Sequence, residues 1–107
     1  MAYDEGLAEE VRARLGDIAG LSERRMFGGL CFMDRGNMIC GIAGDGLMMR
    51  VGKDGMDAAL ALPDVEPMEM GGRVMGGFVT IHGEGDPDSV TRLFETAREV
   101  AAALPPK

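Results

Sequence analysis

Leu7, Val11, Leu15 and Ile18 recur every three or four residues, with Glu9, Glu10, Arg12 and Arg14 mostly between them. That spacing predicts an amphipathic helix over residues 4–16. Asp4 is placed to cap it, Glu5 suits its dipole, and Gly16 to Gly20 let it end. From Glu23 the period changes to two. "ERRMFGG" reads as a short strand with Met26 and Phe27 on opposite faces. "GLCFMD" sets Leu30 and Phe32 against Cys31 and Met33, and "NMICGIAG" sets Met38, Cys40 and Ile42 against Ile39 and Gly41. "GLMMRVG" turns Leu47, Met49 and Val51 inward and leaves Met48 and Arg50 on the other side. Short runs of alternating residues, cut by "DRGN" and "AGDG", predict a β-meander.

"KDGMDAALALP" predicts a short helix capped by Asp54 and stopped by Pro63. Phe78, Thr80 and His82 alternate with Val79 and Ile81, so residues 77–82 read as a strand; residues 65–70 are a second candidate, which Pro67 would place at an edge. The pairs Gly28-Gly29, Gly71-Gly72 and Gly76-Gly77 read as bends or bulges. "GDPDSV" opens the last helix with Asp86 as cap and Pro87 at its first position, and apolar residues from Val90 to Leu104 keep helical spacing up to Pro105. The order α-β-β-β-β-α-β-β-α has no βαβ alternation. It predicts an α+β fold, a single domain over 1–107, in which a mainly antiparallel sheet of five to six strands carries flanking helices.

A hydrophobic fraction of 46% against 27% charged residues excludes a disordered chain. The net charge of −7 argues against direct nucleic-acid binding, which draws its affinity from phosphate neutralisation. A local patch would have to come from Arg24, Arg25, Arg50 and Arg73, with Lys53 beside them. No signal peptide or membrane-spanning run is read, so a cytoplasmic, soluble protein is expected. The ten methionines read mainly as core filling. If Met48 or Met68 were exposed beside a strand edge, a homodimer or a partner groove would follow.

Candidate chemistry is sparse. "GIAGDG" leads into a strand rather than a helix, and no GK[ST] occurs, so its glycines read as turn formers and not as a phosphate cradle. Cys31 and Cys40 form a candidate redox pair. With Arg35-Gly36 as a two-residue loop they face each other, near the lower limit of disulfide geometry. With Gly36-Asn37 as the loop, Cys31 faces Ile42 instead, and the plainer reading is two buried thiols. His82 is the lone histidine and has no partner at metal-ligand spacing; Ser22 and Ser89 lack the context of a nucleophile elbow. No catalytic residue, cofactor or metal is predicted. A cleft beside Phe27 and Phe78 is the candidate for a small ligand.

The strings "RRMFGGLCFMDRGNMICGIAGDGLMMRVG", "MAYDEGLAEEVRARL", "RVMGGFVTI" and the "LPPK" end together resemble the N-terminal domain of the TfoX/Sxy family over almost the whole chain. The resemblance implies an α+β fold, a cytoplasmic location and a part in competence regulation, where members promote transcription of DNA-uptake genes with the cyclic-AMP receptor protein. Those regulators carry a second, helical domain, for which this chain has no room after Lys107. The family offers no catalytic residues to carry over. The expectation is a non-enzymatic module that contacts a protein partner, such as the transcription machinery, or a second copy of itself.

Overall fold

The computed structural model describes residues 3–26, 28–44, 46–82 and 85–106, apart from the side chain of Met70. Helix α1 (Glu5–Leu15) is followed by strands β1 (Leu21–Met26), β2 (Gly29–Asp34), β3 (Asn37–Ala43) and β4 (Gly46–Arg50). A 3₁₀ turn (Lys53–Gly55) runs into α2 (Met56–Leu60); β5 (Glu66–Met70), β6 (Arg73–His82) and α3 (Pro87–Ala103) complete the chain. The strands form one sheet in the order β1-β2-β3-β4-β6-β5, each neighbour antiparallel. The element order is the one the hydrophobic pattern predicts. β5, with Pro67, lies at an edge, where a residue without an N–H costs the sheet nothing.

Local chemistry explains most boundaries. Asp4 accepts from the Leu7 N–H at 3.0 Å and Asp86 from the Ser89 N–H at 3.0 Å, each capping its helix as expected. Asp54 does not cap: it lies inside the 3₁₀ turn, and α2 starts from Gly55 with no side-chain cap. Arg35 (φ 52°) and Gly36 (φ 86°) form the loop between β2 and β3, closed by the pair Asp34 and Asn37. Positive φ at both loop residues matches the twist of the flanking strands. Gly71 (φ 61°) and Gly72 (φ 79°) do the same between β5 and β6, so they are a hairpin loop and not a bulge. The pair at 76–77 lies inside β6, which is longer than predicted, at an irregularity in its pairing with β5.

All three helices pack on one face of the sheet. Val11 and Leu15 of α1, Ala59 of α2, and Leu93, Phe94 and Ala97 of α3 join Phe32, Ile42, Met49 and Ile81 in a continuous core. The β2–β3 loop reaches across to lock α3. Arg35 Nη2 donates to the carbonyl oxygens of Ala102 (2.8 Å), Leu104 (3.3 Å) and Ala101 (3.4 Å), and Asn37 Nδ2 donates to the Pro105 carbonyl oxygen at 2.8 Å. A cation at a helix C-terminus meets the negative end of its dipole and the carbonyls that lack helical partners.

A second tie joins α1 to the edge strand. Arg12 donates from Nε and Nη2 to the two carboxylate oxygens of Glu23, both at 2.8 Å, and from Nη1 to Glu9 at 2.7 Å. Hydrogen bonding from Arg12 holds the Glu23 carboxyl below its usual range, outweighing the opposing effect of burial. A carboxyl whose folded pKa is depressed stabilises fully above its unfolded value, about 4.3, and loses that contribution as pH falls through the lower folded value. Glu23→Gln is therefore expected to flatten part of the acid limb of stability in urea titrations at descending pH. Each side chain of the pair keeps 34% of its surface exposed to screening solvent, so the change will be small.

Candidate functional site

The opposite face of the sheet is assembled by strand alternation. One row crosses it through Arg24, Cys31, Gly41, Met48, Thr80 and Glu66, each directly opposite the next in the ladder. Flanking positions add Met33 and Met38, which pair with each other, and Arg50, which pairs with Phe78. None of the core residues of the helices lies here. Cys31, Met48 and Met68 are nonetheless buried, outside the helix-side core, so this face is covered by its own long side chains. Because Met48 (6% exposed) and Met68 (5%) are covered, neither is the exposed methionine that would mark a dimer edge. Among the described residues the exposed large apolar ones are Val74 (57%) and Met75 (36%), on the part of β6 that runs past the end of β4.

Arg50 is the unusual group. Its guanidinium carbon sits 5.1 Å from the centroid of the Phe78 ring, a cation–π stack within the cross-strand pair. Its Nη1 is buried and finds no acceptor among the described residues. Burial pulls the Arg50 pKa below its ordinary value, although arginine remains charged in any physiological condition. Buried donors are nearly always paired, so an orphan N–H on a charged group is a specific feature to account for.

The other arginines of the candidate patch do not join it. Arg24 and Arg25 are adjacent and exposed on β1, so they leave the strand on opposite faces. Three strand spacings, roughly 14 Å, separate β1 from β4. Arg73 begins β6 beside the β5–β6 loop, and Lys53 opens the 3₁₀ turn. Among the described residues these arginines thus form no continuous basic patch, and Arg50 stands apart as a half-buried cation. The candidate cleft beside Phe27 and Phe78 includes a residue outside those described; Phe78 itself is occupied by Arg50.

The cysteines are also placed differently from the candidate pair. Arg35-Gly36 is the loop, but β3 carries an extra residue: Phe32 pairs with Cys40 and Met33 with Met38, leaving Ile39 unpaired. This bulge moves Cys31 opposite Gly41. Cys40 belongs to the helix-side core and Cys31 to the other face, so the two thiols lie on opposite sides of the sheet. Both are free and buried, and burial pushes both thiols above their ordinary pKa. The cross-strand geometry on which a redox pair rested is absent. His82 closes β6 opposite Gly46, and no group of three His, Cys, Asp or Glu side chains among the described residues could hold a metal ion.

On the helix side, a cleft of about 540 Å³ is lined by Ile18, Asp34, Glu95, Arg98, Glu99 and Ala102. Two of its charged groups are engaged in structure: Arg98 pairs with Asp17 at 3.0 Å, and Asp34 accepts from Arg35 Nε at 3.2 Å. Among the described residues no helix is long and apolar enough to cross a membrane.

The sheet is thus a four-stranded antiparallel meander extended by β6 and then β5, with the helices on one face. The family model described as TfoX N-terminal domain matches residues 13–101, from the middle of α1 to near the end of α3. The chain belongs to the TfoX N-terminal domain family. No curated protein and no solved structure matches it. The family match covers all six strands, so the helix-free face of this TfoX N-terminal domain, with Cys31, Met48 and Arg50, lies wholly inside the matched region. The family is not one of known enzymes. Sequence reasoning had placed Met48 and Arg50 together on the non-core side of β4. What it lacked was the partner of each: Phe78 for Arg50, and Gly41 for Met48.

Proposed function

We propose that this TfoX N-terminal domain is a non-catalytic protein-interaction module with a regulatory role in transcription, and that the helix-free face of its sheet is the contact surface. The half-buried guanidinium of Arg50, whose Nη1 has no acceptor among the described residues, carries this reading. In the isolated domain the stack on Phe78 leaves the guanidinium short of acceptors, whereas a partner carboxylate seated against Arg50 would add the charge-assisted hydrogen bonds it lacks. Arginine and aromatic side chains are among the types enriched at the centres of protein interfaces, and the half-buried Arg50 and Phe78 supply one of each.

Arg50→Met tests the reading in two independent ways. In the isolated protein, exchange of an incompletely satisfied cation for an apolar chain of similar length is expected to raise stability by about 1 kcal/mol, read from urea midpoints. In a crosslinking pull-down from the source cell, the same variant is expected to lose the partner that the wild type recovers. If that partner is a second copy, sedimentation of the wild type will show a dimer that the variant lacks. A variant that is less stable and binds equally well would remove the basis for the proposal.

A further inference from the structure

Three sulfur-bearing side chains converge on the same face at a point independent of Arg50. Gly41 has no side chain, and the space above it is filled from its neighbours. A Cβ built there would lie 2.8 Å from Met48 Cε, 3.1 Å from Met38 Cε and 3.3 Å from Cys31 Sγ. Both thioether sulfurs are therefore one bond away from methyl carbons that share this space with the Cys31 thiol. Met33, cross-strand from Met38, brings a fourth sulfur to this side of the sheet. The cluster follows from the bulge at Ile39: without it Cys31 would not face Gly41, and a larger residue there would keep these side chains apart.

We propose that Cys31, Met38 and Met48 form a binding site for a soft monovalent metal ion, Cu(I) or Ag(I). Thiolate and thioether donors select such ions over harder ones. Charge points the same way. As the metal–sulfur bond forms, the Cys31 thiol releases its proton to solvent and the metal keeps its oxidation state, so thiolate and monovalent cation together are neutral. A neutral centre suits a buried methionine-lined site; a divalent ion would leave a net positive charge there, directly across the ladder from Arg24. Met38 is only half-buried, and its three rotatable bonds give an incoming ion a route that needs no strand to move.

The test is an anaerobic titration of the reduced protein with Cu(I) against a chromophoric Cu(I) chelator. One equivalent is expected to transfer to the protein. Cys31→Ser should abolish that transfer, and Met38→Leu and Met48→Leu should each weaken it by roughly tenfold or more. Cys40→Ala, on the other face, should bind as the wild type does. Because Met-to-Leu exchange nearly conserves volume, circular dichroism will separate lost binding from lost folding. Methyl-labelled methionine spectra with Ag(I) provide a second readout, in which Met38 and Met48 shift and Met56 does not. Failure of the wild type to compete with the chelator, binding that survives Cys31→Ser, or wild-type affinity in both methionine variants would overturn the proposal. Arg50→Leu, which removes the guanidinium without adding a sulfur donor, should leave the titration unchanged, so this outcome is separable from that of the docking reading.

Discussion

Gly29→Ala is expected to abolish or severely weaken folding. Gly29 is buried at the start of β2, where it pairs with Met26. A Cβ there would coincide with the carbonyl oxygen of Ile42 and lie 3.0 Å from its carbonyl carbon and 3.3 Å from Ala43 Cα. All three are backbone atoms of β3. Neither strand can retreat without opening the ladder at Leu30 and Ile42, the residues that face the helix-side core. Overpacking usually costs about 1–3 kcal/mol where side chains can yield; here the obstruction is main chain, so the cost should exceed that range and consume much of a stability that is on the order of 5–15 kcal/mol. Gly28→Ala separates space from conformation. Gly28 has φ 73° and nothing within 4 Å of its Cβ position, so it should lose only about 1–2 kcal/mol of left-handed backbone strain. Urea denaturation of the two variants side by side checks the ranking, and equal losses would refute it.

That pair of glycines also marks how far a sequence can be read. Period-two runs separated by turn residues give the meander, and capping residues around Asp4 and Asp86 give the outer helices, because each signal is local. The Gly28-Gly29 pair was legible as an interruption but not as a close approach to β3, since nothing in "FGGL" names the strand that will lie beside it. The bulge at Ile39 is of the same kind. It is an accommodation between two strands: the alternation expected for β2 holds, but in β3 the bulge puts Met38 on the side of Gly41 and Ile39 in the core with Cys40 and Ile42, and it decides whether Cys31 meets Cys40 or Gly41. Arg35 offers a third case: its grip on the end of α3 spans 66 to 69 residues of sequence and leaves no periodic trace. The Arg50 site was half legible. Alternation sets Arg50 apart from Leu47, Met49 and Val51, but its orphan donor exists only because Phe78 and the surrounding side chains remove it from water.

Phe94→Ala is expected to cost about 3–5 kcal/mol, the usual loss on emptying a buried aromatic position. Phe94 is 4% exposed, packs in the core between α3 and the sheet, and stacks under the Arg14 guanidinium of α1 at 5.0 Å. Its removal therefore loosens both outer helices together. Leu93→Ala, 1% exposed on the same helix, should cost about 2–5 kcal/mol without touching α1 through that stack. Thermal melts would show the loss directly: at roughly 4–8 °C for each kcal/mol in a domain of this size, Phe94→Ala should melt at least about 12 °C lower. The result bears on function because the helix-side core and the helix-free face are chemically separate layers of one sheet. Cooled well below its melting point, the Phe94 variant should bind a partner and Cu(I) as the wild type does, whereas Arg50→Met should melt higher and bind no partner. Opposite signs of stability and binding in those two variants are what a surface kept for recognition predicts; a surface that served only to complete the fold would move both quantities the same way.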